Sequence, residues 1–157
     1  MKHFALAATV LLVCACSTGR PGATQTSSLP GHGAITLTVT PNPIVAQKVS
    51  GSTYDFPFDV IVRESGGHPV SITRVTADIY SVGGIKIGSE SYDAAKINAL
   101  GFSTNVPANG ELRYHFTPRK NVQDDRLFGG VYGDVKAEGV DESGTATSAT
   151  VRVTVTR

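Results

Sequence analysis

The sequence predicts an all-β protein, an antiparallel sandwich of about seven strands with at most one short helix. Beyond Gly33, apolar and polar residues alternate along most of the chain. Alternation rich in Val, Ile, Phe and Thr is typical of strands that bury one face. Gly, Pro, Asn and Asp separate these runs at short intervals, and such residues favour tight turns. Only one segment carries the signals that start and end a helix.

The N-terminus has the composition of a secretory signal. Lys2 is followed by an apolar run, Phe4 to Ala15, and then by a stretch rich in Gly, Ser, Thr and Pro. One positive charge, a short apolar core and small residues at its end predict a cleaved signal peptide over residues 1–15. A transmembrane helix is excluded because it needs about 20 apolar residues.

The end of this segment reads Val13-Cys14-Ala15-Cys16 and contains both cysteines of the chain. It resembles the lipobox of bacterial lipoproteins. The resemblance implies that Cys16 becomes the first residue and carries a diacylglycerol thioether and an N-acyl chain. Several acyl chains anchor a protein stably to a membrane, whereas one does so only marginally. We therefore expect a lipid-anchored protein of the bacterial cell envelope, on the periplasmic face of the outer membrane or on the cell surface.

Charge excludes one class of partner. The chain has 14 basic and 13 acidic residues, and loss of Lys2 with the signal peptide makes the two numbers equal. A nucleic-acid-binding protein needs a clear basic excess, so nucleic acid is not an expected partner. A neutral chain also has no reason to be drawn to anionic lipid head groups.

The mature chain is predicted to divide into a tether and one domain. Residues 16–33 hold the lipidated Cys16 and a low-complexity stretch without an apolar period. Such a stretch behaves as a flexible coil that spans about 20–25 Å. The domain is predicted at 34–157, with no internal repeat.

The period-two runs predict the strands in order. Phe58 lies in the middle of one apolar face and is expected to be fully buried. A change of phase near Thr73 and Arg74 predicts a β-bulge. The predicted strands are 34–40, 54–64, 69–81, 85–90, 110–117, 130–139 and 146–156.

Turn and cap residues support this order. Asp141 to Gly144 joins the last two runs and predicts a hairpin with its glycine in the left-handed region. Asp93 and Gly101 bracket the single helical segment as N-cap and C-terminal stop.

The last hairpin, VYGDVKAEGVDESGTATSATVRVTV, resembles the terminal strand pair of bacterial immunoglobulin-like modules. The segment NVPANGELRYHF is similar to the Pro/Gly entry to a middle strand of such modules. The resemblance implies an immunoglobulin-like sandwich. The chain departs from antibody domains because it has no Trp and no core cysteine pair. A closed β-barrel is the alternative.

Catalytic and metal motifs are absent from the sequence. It has no G-x-S-x-G, no H-E-x-x-H and no cysteine after Cys16. His32, His68 and His115 fall in the tether, a tight turn and an outward strand position, so they are expected to be solvated. The acidic pairs at 124–125 and 141–142 are best explained by Asx-type turns. We predict no enzyme activity, no cofactor and no metal; an envelope hydrolase is the weakest alternative.

The loop from Thr117 to Gly130 is the candidate partner-binding loop. Charged groups beside an apolar pair can anchor an interface. The alternative, which we favour, is a solvated loop whose Leu127 and Phe128 turn inward and plug the end of the sandwich. The candidate binding residues are Arg119, Lys120, Asp124, Asp125 and Arg126.

The predicted function is non-enzymatic: a cell-envelope lipoprotein that presents its domain for protein binding or a structural role. A carbohydrate-binding module is the main alternative, and its stacking candidates are Tyr54, Tyr80, Tyr92 and Tyr132. Counting strand reversals places the segments 65–68, 91–109 and 141–144 at the end where the tether enters. The segments 41–53, 82–84 and 118–129 then share the end away from the membrane.

Overall fold

The computed structural model describes Gly22 and residues 24–157. The predicted signal peptide and Cys16 lie outside these residues. The described chain is all-β, with helix α1 at Ala94–Ala99 and a 3-10 turn at Asp125–Gly129. Its strands are β1 (Thr24–Ser27), β2 (Ile35–Thr40), β3 (Ile44–Val45), β4 (Gln47–Ser50), β5 (Thr53–Asp55), β6 (Phe58–Glu64), β7 (Val70–Tyr80), β8 (Lys86–Asp93), β9 (Asn105–Val106), β10 (Glu111–Phe116), β11 (Arg119–Asn121), β12 (Tyr132–Asp141) and β13 (Ala146–Thr156).

Two sheets face each other, and both are antiparallel except for the short parallel pairing of β3 with β13. One has the order β10-β6-β2, and the other has the order β1-β13-β12-β7-β8, with β9 beside β7 and β3 beside β13. When β2, β6, β7, β10, β12 and β13 are lettered A, B, C, E, F and G, the order is A-B-E against C-F-G. That is the order of an immunoglobulin-like sandwich, so the predicted fold class is confirmed.

A third small sheet, β11-β5-β4, prolongs the β10-β6-β2 sheet. Pro57 separates β5 from β6, and Pro118 separates β10 from β11. Proline has no backbone N–H to give to a ladder, so each proline interrupts the pairing and lets the sheet bend. The candidate loop follows directly on β11 of this extension.

The predicted β-bulge, helix caps and hairpin glycine are confirmed. Glu138 is opposite Arg74 and Gly139 is opposite Ile72, which leaves Thr73 as the extra residue of the bulge. The Asp93 carboxylate caps α1 by accepting from the Lys96 N–H at 2.8 Å. Gly101 and Gly144 both have positive φ, as the helix stop and the hairpin turn require.

The tether prediction is wrong for residues 24–27. Residues 24–27 form β1, which pairs antiparallel with β13 and covers its edge. The Thr24 and Thr26 hydroxyls donate to carbonyls of β2. The stretch contains no apolar residue, so its sequence carries no strand signal; an unpaired edge of β13 recruits it instead.

Because β1 runs antiparallel to β13, the chain enters the domain at a different end from the one predicted. The Gly22 N–H donates to the Arg152 carbonyl at 3.1 Å, and the Asn42 amide donates to the same oxygen. The chain therefore enters beside Asn42 and runs toward Gly33. The prediction that the chain enters the domain at the Gly33 end is wrong.

The grouping of the turns at the two ends is confirmed. Gly33 donates to the Asp141 carboxylate, and His68 lies 3.3 Å from Glu142. At the other end, the Ser52 hydroxyl donates to the Asn121 side chain. We call residues 33–37, 62–72, 106–110 and 137–149 the closed end, and residues 40–58, 77–92, 116–133 and 153–155 the open end.

Packing differs between these ends. At the closed end the inward side chains are fully buried; they include Ile35, Leu37, Val62, Val70 and Ala137. At the open end Ile44, Tyr54 and Val153 are buried, but many inward side chains pack against the core and stay partly exposed; these include Phe56, Phe58, Ala77, Tyr92 and Phe116. The prediction that Phe58 is fully buried is wrong, because the facing sheet does not close over it.

Candidate functional site

The open end contains an apolar cavity of about 610 Å³ between the two sheets. Aromatic side chains of β6, β10 and the 3-10 turn form one wall, and aliphatic side chains of β7, β12 and β13 form the other. The residues that form these walls include Phe56, Phe58, Phe116, Phe128, Ala77 and Val153. A volume of this size is within the range of small-molecule sites, about 300–1,000 Å³.

Small residues at inward positions create the hollow. Gly88 and Gly133 lie on either side of Ile79 in the sheet, and Ala77 is the next inward residue on the same strand. A Cβ on Gly88 would meet only the Ile79 side chain, at an ordinary 3.6 Å. At the closed end, by contrast, a Cβ on Gly139 would lie 2.7 Å from a Val70 methyl group. Neighbouring side chains fill the space above Gly139 but not the space above Gly88.

The mouth of the cavity lies between β8 and the segment 119–123. Among the lining residues, Ile87 on β8 is 53% exposed, and Lys120, Asn121 and Gln123 on the facing segment are exposed as well. An ion pair between Lys120 and Glu90 connects the two rims. The hydrogen bond from Lys120 holds the pKa of the Glu90 carboxyl below its ordinary value. The cavity is therefore apolar inside and charged at its entrance.

The structure places the candidate loop residues at this end but pairs them separately. Arg119 makes a two-pronged contact with Asp55 at 2.7 and 2.8 Å and lowers the pKa of that carboxyl. Arg126 pairs with Asp124, two residues away. Only the backbone of Asp125 is described. The charges thus make local ion pairs and do not converge on one point.

Phe128 turns inward. Its ring lies 5.1 Å from the Tyr54 ring and 6.3 Å from the Phe56 ring, centroid to centroid. The interpretation of this loop as an inward plug is confirmed for Phe128, while the Leu127 side chain is not described. The plug covers only part of the opening, since Phe128 itself lines the cavity.

The closed end contains a buried carboxylate that was not predicted from the sequence. Glu64 is 1% exposed and accepts hydrogen bonds from four backbone N–H groups, at Ala34, Gly66, Gly67 and Asn109. Burial opposes its ionisation, but the four donors outweigh burial and lower its pKa. The signal was its phase: Glu64 continues the inward face of Val60 and Val62.

Asp141 serves the same end. It accepts from the Ser143 hydroxyl and from the backbone N–H groups of Gly33, Ser143 and Thr145. These hydrogen bonds, led by that of the Ser143 hydroxyl, hold its pKa below the ordinary value. The Asx-turn interpretation is confirmed here. Both carboxylates stay ionised and are used to tie loops together, so neither has the raised pKa of a general acid.

The histidines are dispersed. His32 lies 3.1 Å from Asp141, in the segment predicted as tether, and His115 lies 2.7 Å from Asp59 on the outward face. His68 lies near Glu142. Within the described residues, no three His, Cys, Asp or Glu side chains are grouped in a way that could hold a metal ion.

Two of the four candidate tyrosines share a flat surface. Tyr54 is buried and Tyr92 is packed against the core. Tyr80 and Tyr132 lie side by side on the outer face of the larger sheet, with rings stacked at 5.1 Å. Arg152 lies over the Tyr132 ring at 4.3 Å. Tyr132 is therefore already contacted by two neighbours.

The fold and these sites define an all-β sandwich domain with a large apolar cavity. No protein-family model and no curated protein matches the sequence. The Northeast Structural Genomics Consortium target SoR45 is similar in structure, with a TM-score of 0.53 at 13% identity over 82% of this chain and 90% of that one. The C-terminal domain of wzt has a TM-score of 0.44 at 10% identity, covering 88% and 83%. The likeness to SoR45 shows the fold alone.

In the part of the chain that the structure describes, no helix has the length and apolar character needed to cross a bilayer.

Proposed function

We propose that this chain is a non-enzymatic lipoprotein of the bacterial cell envelope, anchored to a membrane at Cys16, whose immunoglobulin-like domain binds a partner through its open end. The observation that supports this best is the difference between the ends. The polar groups buried at the closed end are used in loop hydrogen bonds, whereas the open end presents exposed charges beside a partly uncovered apolar surface.

The anchor is tested by the intact mass of the protein purified from membranes. An acylated N-terminal Cys16 is expected, and Cys16→Ser should leave unprocessed or soluble protein that still folds. A different mature N-terminus would remove the anchor from the proposal.

The binding end is tested by photo-crosslinking in cells. A crosslinker at Gln123 or Arg126, both exposed at the open end, should give adducts with one or a few proteins. The matched position is Glu142, which is exposed at the closed end. Adducts from position 142 alone would contradict the proposal.

A carbohydrate-binding module is a second candidate because Tyr80 and Tyr132 share one flat face. Sugar rings stack on open aromatic faces, and the contacts of Tyr132 with Tyr80 and Arg152 reduce what the pair can offer. Titration of the purified chain with envelope glycans tests this candidate. Saturable binding that Tyr80→Ala abolishes would favour it over protein binding.

A further inference from the structure

The cavity at the open end suits a hydrocarbon better than a peptide or a sugar. Its walls are side chains from the inner faces of two sheets, and few of its lining residues are polar. The strand backbones around it are paired within their own sheets. A peptide entering the cavity would bury N–H and C=O groups without partners, at a cost that a hydrocarbon chain does not incur.

The mouth adds a second requirement. Lys120 and Glu90 stand on opposite rims, and both are partly exposed. A ligand that fills the interior must therefore end in a polar group that can remain beside this ion pair. An apolar chain with one polar head is an amphiphile.

We propose that the open-end cavity binds the acyl chain of a free single-chain amphiphile of the fatty-acid type, with its polar head beside Lys120 and Glu90. That the membrane supplies this ligand rests on the lipid anchor proposed above. The existence of the cavity does not depend on that anchor. Cys16 precedes Gly22 by six residues. That length spans at most about 20 Å, so the anchor would keep this half of the domain near the bilayer.

Two leucine variants on β8 make a matched pair. Gly88 faces into the cavity without a backbone clash, so Gly88→Leu fills part of it. Ser91 is exposed on the opposite face of the same strand, so Ser91→Leu leaves the cavity empty. If Gly88→Leu does not fold, Ala77→Leu fills the same space from β7.

The test uses the full chain with Cys16→Ser in detergent-free buffer. It is titrated with the fluorescent fatty acid cis-parinaric acid, which palmitate then displaces. We expect saturable one-to-one binding that Gly88→Leu weakens by at least about tenfold, the effect of excluding two methylene groups. Ser91→Leu should bind as the parent does. Absence of saturable binding, or equal binding by Gly88→Leu and its parent, would overturn the proposal.

Two other occupants have distinct outcomes. If light scattering shows a dimer that Gly88→Leu separates, a second copy fills the cavity and the proposal is wrong. Native mass spectrometry distinguishes a free ligand from the protein's own anchor. A fatty-acid adduct on the Cys16→Ser chain but not on the acylated chain would assign the cavity to the anchor and overturn a free ligand. The N-terminal mass reports acylation separately, so a missing anchor leaves the binding result intact.

Discussion

At the closed end, Leu37 and Val62 from one sheet pack in the same core as Val70 and Ile72 from the other, and none of the four is more than 1% exposed. At the open end, Phe58 and the other aromatic residues of the same sheet face small residues across a gap. Both ends follow one alternating sequence pattern. The difference shows that alternation decides which side chains point inward, whereas the size of the facing residues decides whether the inside is filled.

Polar groups follow the same division. The closed end buries two carboxylates, each with several hydrogen-bond donors, and ties four segments of chain together. The open end has single, partly exposed ion pairs, which join β11 to β5, β11 to β8 across the cavity mouth, and Arg126 to Asp124. The closed end is therefore expected to carry most of the stability, and the open end to tolerate change.

The largest expected effect is at Glu64. Glu64→Ala leaves four backbone N–H groups without their acceptor, so we expect the free energy of unfolding to fall by about 4 kcal/mol or more. Urea denaturation measures this. Glu111→Ala, at an exposed position of β10, is the control and should stay within about 0.5 kcal/mol of the parent. A small loss at Glu64 would mean that the closed end is not tied in this way.

The same variant has a pH signature. The folded-state pKa of Glu64 lies below its ordinary value of 4.5, so its contribution to stability is complete above that pH and declines as pH falls through the folded-state value. The stability difference between parent and Glu64→Ala should therefore shrink below about pH 4.5. A difference that grows on acidification would contradict the lowered pKa.

Truncations compare the cores of the two ends. Leu37→Ala should cost about 3 kcal/mol, because Leu37 is fully buried among well-packed neighbours. Phe58→Ala should cost less, about 2 kcal/mol, even though it removes more atoms, since Phe58 already borders a cavity. Thermal and urea unfolding of both variants decide the order. A larger loss at Phe58 would mean that the open end is closed in solution.

Enlarging an inward alanine should have opposite signs at the two ends. Ala77→Leu extends into the cavity and should stabilise the fold by about 0.5–2 kcal/mol. Ala137→Leu introduces the same atoms where no room exists and should destabilise it by about 1–3 kcal/mol. Equal effects of the two substitutions would remove the distinction between the ends.

The smallest effect concerns the rim. Lys120→Glu places like charges on the two sides of the cavity mouth, yet exposed ion pairs contribute little, so the melting temperature should hardly change. Partner binding at the open end should weaken. The double variant Lys120→Glu with Glu90→Lys restores the ion pair with reversed charges. If it regains partner binding, binding needs the pair within the protein. If it does not, binding needs the contact of Lys120 with the partner.

The sequence by itself determined the fold class, the seven long strands of the two main sheets (β2, β6, β7, β8, β10, β12 and β13), the bulge at Thr73 and the caps of the helix. Each of these depends on residues close together in the chain: a period of two, a phase change, a capping carboxylate or a left-handed glycine. It also grouped the turns at two ends, because reversals in an antiparallel fold can be counted. The lipid anchor at Cys16 stays a prediction from sequence.

The tertiary structure alone decided three other features. Strand β1 exists because β13 offers an unpaired edge, and nothing within residues 24–27 announces it. The Glu64 side chain accepts from its own turn at Gly66 and Gly67 and from two distant segments, at Ala34 and Asn109, which only the folded chain brings together. The cavity arises because Ala77, Gly88 and Gly133 lie on three neighbouring strands beneath one aromatic wall. Whether such small residues leave a space depends on the side chains across the sandwich, and those are far away in sequence.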